Sequence, residues 1–481
     1  MDTDRYQEPL VSRYTSDEMQ RLFSEQVKFS TWRKCWLALA EAQYELGLTD
    51  LITPAMLDEM RGNVDNIDFA VARDKEAQIR HDVMAHVYEF GLKCPAAAPI
   101  IHLGATSQFV VCNTDQIIQR QALHLIKNDL LNTIERLATF AHTHRDLATL
   151  GYTHYQPAQP TTIGKRMCLY IYDLLIDLTS IDDFLNRQAA RGAKGTVGTQ
   201  ATFLELFDND HGKVRELDKL VAHKLGFSRV LPVTGQTYSR KLDMKLLEIL
   251  AGIGATAHKF GVDLRLSANL KILEEPFAAN QTGSSAMAYK RNPMRSERMT
   301  GLARKLMGLP ANAAATYANQ WLERSLDDSA IRRMDIPQAF LLTDAILRLY
   351  INISSGMVVY DKQIERLLNL ELPFMATEKI LMEAVRRGKS RQEMHEIIKH
   401  HAVAAGVKVK QEAKDNDLLK RLGDDENIPF TYDELCDMTT DYRAFTGRAS
   451  QQTVEFLNEH VYPVLHNNKN TMVRITSDVT V

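Results

Sequence analysis

The chain has 481 residues, 45% of them hydrophobic and 25% charged, which is ordinary globular composition with room for several cores. Its 58 Lys and Arg nearly balance 61 Asp and Glu, and a net charge of −3 argues against a broadly basic nucleic-acid surface. With 23 Gly and 14 Pro, together about 8% against a usual ~12%, turn residues are too few for an all-β fold. Cys35, Cys94, Cys112, Cys168 and Cys436 are scattered with no CxxC pair, so neither a disulfide framework nor a cysteine zinc site is expected. The first residues are polar, and no run approaches 18 uninterrupted apolar residues. A cytoplasmic, soluble, helix-rich protein is expected.

In chain order, residues before Gly104 carry short helical patterns, Trp32 and Trp36, and a loop starting at Cys94-Pro95. From Ala105 to Leu150 there is no Gly and no Pro. Within it Ile118, Ala122, Ile126, Leu130, Ile134, Leu137 and Ala141 recur every three or four residues, the mark of one helix face. Asn113 with Gln116 three later resembles a capping box, which predicts a helix over 113–148, about 54 Å long at 1.5 Å per residue. A second stripe runs Met167, Ile171, Leu174, Leu178, Ile181, Leu185, and a third Leu246, Leu250, Ile253, Ala257, Phe260, Leu264. Apolar neighbours such as Leu123, Leu131, Leu175 and Leu247 widen these faces beyond what one partner helix covers. The expected fold is all-α, with a central bundle of long helices that continues across subunits. Shorter helices follow 360, so the expected domains are 1–106, 107–359 and 360–481.

Three familiar motifs fail on context. Gly252-Ile-Gly254-Ala-Thr-Ala257 lies inside the third stripe, so its small residues suit helix packing rather than a dinucleotide. His395 and His400 are five apart and do not share a helix face as a zinc pair must. Gly192-Ala-Lys194-Gly195-Thr-Val-Gly198 lacks the P-loop order; it reads as a bend after the second stripe or as a loop lining a substrate.

Three polar segments interrupt the helical pattern: Leu103-Gly-Ala-Thr-Ser-Gln108, Gly151-Tyr-Thr-His154-Tyr-Gln-Pro-Ala-Gln159, and Gly283-Ser284-Ser285-Ala-Met-Ala288-Tyr-Lys290-Arg291-Asn292-Pro293-Met-Arg295-Ser-Glu297-Arg298. Singly, each has a bland account. A Thr-Ser pair caps a helix, a histidine near a helix start packs or caps, and Ser-Ser before Lys-Arg is a solvated loop. Together, in order and spacing, they resemble the three signature regions of the fumarase/aspartase superfamily, the third resembling its catalytic loop GSSxMPxKxNP. Lys290-Arg-Asn-Pro-Met-Arg-Ser-Glu297, Arg80-His81-Asp82, Thr234-Gly-Gln236, Glu323-Arg324-Ser-Leu-Asp-Asp-Ser329, Leu372-Pro-Phe-Met-Ala-Thr-Glu378 and Thr446-Gly-Arg448 narrow the resemblance to the adenylosuccinate lyase family, closest to the animal type. It runs from Arg13 to the last helix. One departure is Ala288, where the pattern has Pro.

The resemblance implies β-elimination of fumarate from adenylosuccinate, giving AMP, and from the related succinyl-carboxamide ribotide, in an all-α homotetramer whose sites each draw on three subunits. It implies Ser284 as base, His154 as acid, Lys290 and Asn292 at the developing charge, and His81 lining the pocket near the phosphate. Glu297 is read as orienting His154, as carboxylates often orient imidazoles. Matched substrate-binding positions are Arg13, Tyr14, Arg80, Asp82, Thr106, Ser107, Gln236, Asn292, Arg298, Arg324, Ser329 and Arg333. Arginine forks suit the substrate's carboxylates and phosphate. Neither metal nor organic cofactor is expected, nor a nucleic-acid or membrane partner. Another superfamily lyase such as argininosuccinate lyase, a non-catalytic helical scaffold, and nucleic-acid binding through 290–305 are the alternatives. The Arg80-His81-Asp82 cluster, the intact Ser284, His154 and Lys290, and the neutral charge argue against them in turn.

Overall fold

The computed structural model describes residues 4–278 and 280–476. An N-terminal group holds helices α1 (Glu25–Glu45), α2 (Phe69–Ile79) and α3 (Asp82–Lys93). Then come α4 (Ser107–Thr143), a hairpin of β1 (Ala148–Thr153) and β2 (Gln156–Thr162), and α5 (Ile163–Arg187). After α6 (His211–Lys224) the long helices resume with α7 (Lys241–Asn269), α8 (Met294–Ala318) and α9 (Asp328–Ser355). Shorter helices follow, the longest being α10 (Arg391–Glu412). The only other sheet among the described residues pairs Leu273–Glu274 with Val358–Val359.

The three apolar stripes are α4, α5 and α7, and their residues form one buried core with α8 and α9. Polar pairs along the bundle give its directions. Arg332 meets Asp115, and Arg136 of α4 meets Ser355, so α4 and α9 run parallel. Lys127 meets Asp182, so α5 runs back against α4. Asn312 meets Asp335, so α8 opposes α9. Gln119 meets Asp243, which starts α7 at the same end as α4. Gly254 and Gly261 give the close approach expected of that small-residue run: a Cβ would lie 3.1 Å from Leu306 and 2.8 Å from Thr300.

Both ends of the first long helix differ from expectation. It stops at Thr143, with Ala148 already in β1. It begins at Ser107, after Thr106, and Asn113 is buried inside it. Asn113 Nδ2 donates to Phe109 and Gly192 carbonyls, Gly192 N–H donates to its Oδ1, and Gln116 is bonded to Ala189 and Arg191. These polar residues, so like a cap in sequence, fasten the segment after α5 onto α4. The Gly192–Gly198 bend is structural as well. Lys194 is buried in an ion pair with Asp218, whose Oδ1 accepts from Ala193 N–H. Residues 190–230 pack with α1–α3 in a second core, and Ala376 to Leu435 line a third. No helix among the described residues is long and apolar enough to cross a membrane.

Candidate active site

A cavity of about 730 Å³ opens where α4, α7 and α9 begin, roofed by α1 and by the turn between α2 and α3. The sequence-predicted residues Arg80, His81, Asp82, Thr106, Ser107, Gln236, Arg324, Ser329 and Arg333 all line it. Arg80 closes α2 in the left-handed region (φ 56°), a conformation uncommon for a side-chain-bearing residue, and so turns the chain directly into His81. His81 caps α3: its Nδ1 accepts from Met84 N–H at 3.3 Å. That leaves Nε2 facing Ser107 Oγ, also at 3.3 Å. With Nδ1 occupied as acceptor, a neutral His81 carries its proton on Nε2. Asp82 accepts from Arg333 at 3.2 Å, and Arg324 donates to Gln236 at 2.9 Å.

Beneath these lies a charged floor that sequence reasoning missed. Arg240 donates to Asp328 at 2.6 Å, and Arg332 donates to Asp243 at 2.7 Å and to Asp115 at 2.8 Å. Burial pushes the Asp243 carboxyl up, but Arg332 and Arg240 outweigh it and hold it below the usual carboxylate range. Burial lowers the Arg324 guanidinium. Breaking one partner of such a buried pair strands the other, so the network fixes its members in place. Lys28, from the first turn of α1, also lines the cavity. A lysine in a first helical turn carries no sequence signal of its own.

The remaining predicted residues lie elsewhere. His154 and Tyr155 form the tip of the β1–β2 hairpin, both with positive φ (51° and 57°), the geometry of a two-residue turn that normally uses Asn-Gly. The histidine thus sits on a strained, exposed turn rather than at a helix start. Since α4 is about 55 Å long, His154 and Ser107 of one chain stand at opposite ends of the bundle.

Ser284 and Lys290 are also at that far end, in the loop between α7 and α8. A Cβ on Gly283 would lie 2.0 Å from the Lys290 carbonyl oxygen, so only glycine lets the loop close its neck. Asn292 Nδ2 tightens it by donating to Gly283 at 2.7 Å. Ser284 Oγ accepts from the backbone N–H of Ala286 (3.3 Å) and Met287 (3.1 Å). Buried Glu275 ties the base of the loop to the start of α8 by accepting from Arg295 and Ser296 N–H. Glu297 faces Arg265 at 3.7 Å. The Arg298 guanidinium lies 5.2 Å from the Tyr14 ring centroid, and Arg13 lies 6.0 Å from it, so these three gather near the loop end. Among the described residues, no three His, Cys, Asp or Glu side chains converge as a metal-ligand set.

Residues 12–308 match the family model described as Lyase, and 373–456 the one described as Adenylosuccinate lyase C-terminus. The chain is 52% identical to the adenylosuccinate lyase of Saccharomyces cerevisiae, covering 96% of this chain and 95% of that one. It is 50% identical to that of Schizosaccharomyces pombe over the whole of both chains, and 46% identical to that of Schistosoma mansoni over 99% of each. A 3-carboxy-cis,cis-muconate lactonizing enzyme from Pseudomonas putida shares the fold, with TM-score 0.81 and 23% identity over 93% of this chain and 98% of that one.

Proposed function

Because the chain belongs to the adenylosuccinate lyase family, we infer that its cavity receives adenylosuccinate and that the chain is the lyase that splits it into AMP and fumarate. The succinyl-carboxamide ribotide, with the same leaving fumarate, is the second substrate. The observation that carries the reading is the cavity itself: Arg80, His81, Arg324 and Arg333 converge with the hydroxyls of Thr106, Ser107 and Ser329 in a nearly neutral protein. That donor set suits a nucleotide bearing two carboxylates and a phosphate.

The chemistry needs a base, an acid and donors at the growing charge. Ser284 Oγ takes the proton from the carbon beside a succinyl carboxylate. Electrons flow into that carboxylate, where Lys290, Asn292 and the Thr106–Ser107 start of α4 stabilise them. The C–N bond then breaks, and His154 gives the departing nitrogen its proton. A serine is an intrinsically weak base. Two backbone N–H groups aimed at Ser284 Oγ favour negative charge there, and Lys290 adds a cation from the same loop. Glu297 orients His154. Arg13, Tyr14 and Arg298 hold an anionic end of the substrate.

These groups must meet, and in one chain the bundle's length keeps His154 far from Ser107. The proposed enzyme is therefore a homotetramer in which the cavity of one subunit is completed by the hairpin and loop of others. Its three domains divide near 106 and 360, with the 190–230 segment added to the N-terminal core. It works in the cytoplasm, and its proton transfers use side chains alone. Mixing purified protein with adenylosuccinate should release fumarate and AMP at equal rates. Release from argininosuccinate instead, or from neither, overturns the assignment.

A further inference from the structure

Lys28 lines the cavity, yet no matched motif contains it. Its ammonium lies 4.8 Å from the Phe29 ring centroid and 5.1 Å from that of Trp32. Phe29 is itself stacked on His86 at 3.7 Å, and Trp32 is buried, so the rings that seat the cation belong to the N-terminal core. Among the described residues the Lys28 ammonium makes no hydrogen bond and no ion pair, although it carries three donors.

Three carboxylates act on it: Glu25, one turn earlier on α1, and Asp82 and Asp115, which are already engaged. Asp82 accepts from Arg333 and from Val83 N–H, and Asp115 accepts from Arg332. Arg333 faces Lys28 as a like charge, and burial, with Arg333 adding to it, outweighs Glu25, Asp82 and Asp115 and lowers its affinity for its proton. Two cations held together on one wall of a cavity repel each other, and an anion between them turns that repulsion into binding.

Which anion it is follows from how the site is divided. This step rests on the reading above. The succinyl group must meet Ser284, which arrives from another subunit, so the phosphate takes the wall that one chain builds alone. That wall includes the start of α9, where the helix dipole favours a negative group and where Ser329 and Arg333 are one turn apart on the same face.

We propose that Lys28 is a direct ligand of the substrate's 5′-phosphate, shared with Arg333 and Ser329. The seat on Phe29 and Trp32 holds its ammonium ready before the nucleotide arrives.

Calorimetric titration of AMP and of adenosine into the intact enzyme tests this. Lys28→Met keeps the apolar stem on the rings and removes only the charge. It should weaken AMP by about 10- to 100-fold, the range for a charged hydrogen bond, while adenosine binding stays within about twofold. Lys28→Arg should restore most AMP affinity. In turnover the loss should appear in KM for adenylosuccinate rather than in kcat, and inhibition by inorganic phosphate should weaken in the Met variant. If Lys28→Met unfolds, Lys28→Gln is read by the same criteria. Equal losses for AMP and adenosine, no loss for either, or a fall in kcat at constant KM would overturn the assignment. Binding of AMP is read without turnover, so wild-type protein that binds AMP but releases no fumarate sinks the reaction and not the phosphate contact.

Discussion

At the cavity end of the bundle, buried Arg240, Asp243 and Asp328, with Arg332 and Asp115, are locked in ion pairs that join α4, α7 and α9. At the loop end, Ser284, Lys290 and His154 stand on short, solvent-facing backbone whose bonds are mostly local. A buried network holds donors to a fixed geometry, which suits anion recognition. An exposed turn or loop leaves its reactive atoms without a pocket of their own. On the function proposed above, the contrast separates binding from proton transfer: the cavity end is to recognise a polyanion by itself, and the loop end to act only when set against another chain.

The largest expected effect is at the loop end. Ser284→Ala and His154→Ala should each lower kcat by at least 10²–10⁴-fold, the usual contribution of a positioned acid or base. AMP affinity, a property of the cavity end, should stay within about tenfold, or ~1.4 kcal/mol. Steady-state kinetics with calorimetry checks both, and near-normal turnover in either variant would break the division.

Mixing the two inactive proteins sharpens it further. After subunit exchange in a closed symmetric tetramer, roughly a quarter of the sites should carry neither lesion and recover activity. Hybrids verified by mass spectrometry that remain dead, or a protein that sediments as a monomer, would show that the two ends do not complete one another.

A third test addresses the span between them. Asp129 of α4 is buried beside Arg348 and Asp344, and Asp344 in turn holds Ser16 through its backbone N–H and its hydroxyl, just beyond Arg13 and Tyr14. Burial, with Asp344 and Glu18 adding to it against Arg348, raises the Asp129 carboxyl to about 8. An unfolded Asp titrates near 3.9, so the folded state holds a proton that the unfolded chain releases between about pH 4 and 8. The stability tied to that proton is full below about pH 4 and is lost as pH rises through 8. Asp129→Asn should therefore gain on wild type as pH rises, its Tm advantage growing by at least about 2 °C between pH 5 and pH 8. A constant difference across that range would contradict the protonated native state.

The smallest effect concerns Ala288. Proline there would narrow the open loop's ensemble by about 0.4–1 kcal/mol, or two- to fivefold in rate or affinity. Ala288→Pro should change kcat/KM by no more than that. A gain of a hundredfold would mean that the native loop is disabled, and would favour a non-catalytic scaffold.

The apolar stripes of α4, α5 and α7 were legible because helix periodicity is local: the residues that repeat every three or four positions are the ones buried. The polar segments were legible as a set, since together they match one family's loops. Asn113 and Gln116 misled because a side chain that bonds a distant backbone has the same composition as one that bonds its own helix start. The His154 turn was hidden because His-Tyr lacks the Gly or Asn that marks such hairpins, and the fold alone holds both residues at positive φ. Arg240, Arg332 and Lys28 carried no local mark at all. Their partners lie as far as 217 residues away in sequence, and a charge becomes a ligand or a brace only when packing decides what it faces. The sequence by itself determined the helices, the bundle and the family, because burial and helical period act over a few residues. The tertiary structure alone decided which charges share a cavity and which ends of the bundle stay apart. Distance through space, rather than order along the chain, sets an electrostatic interaction.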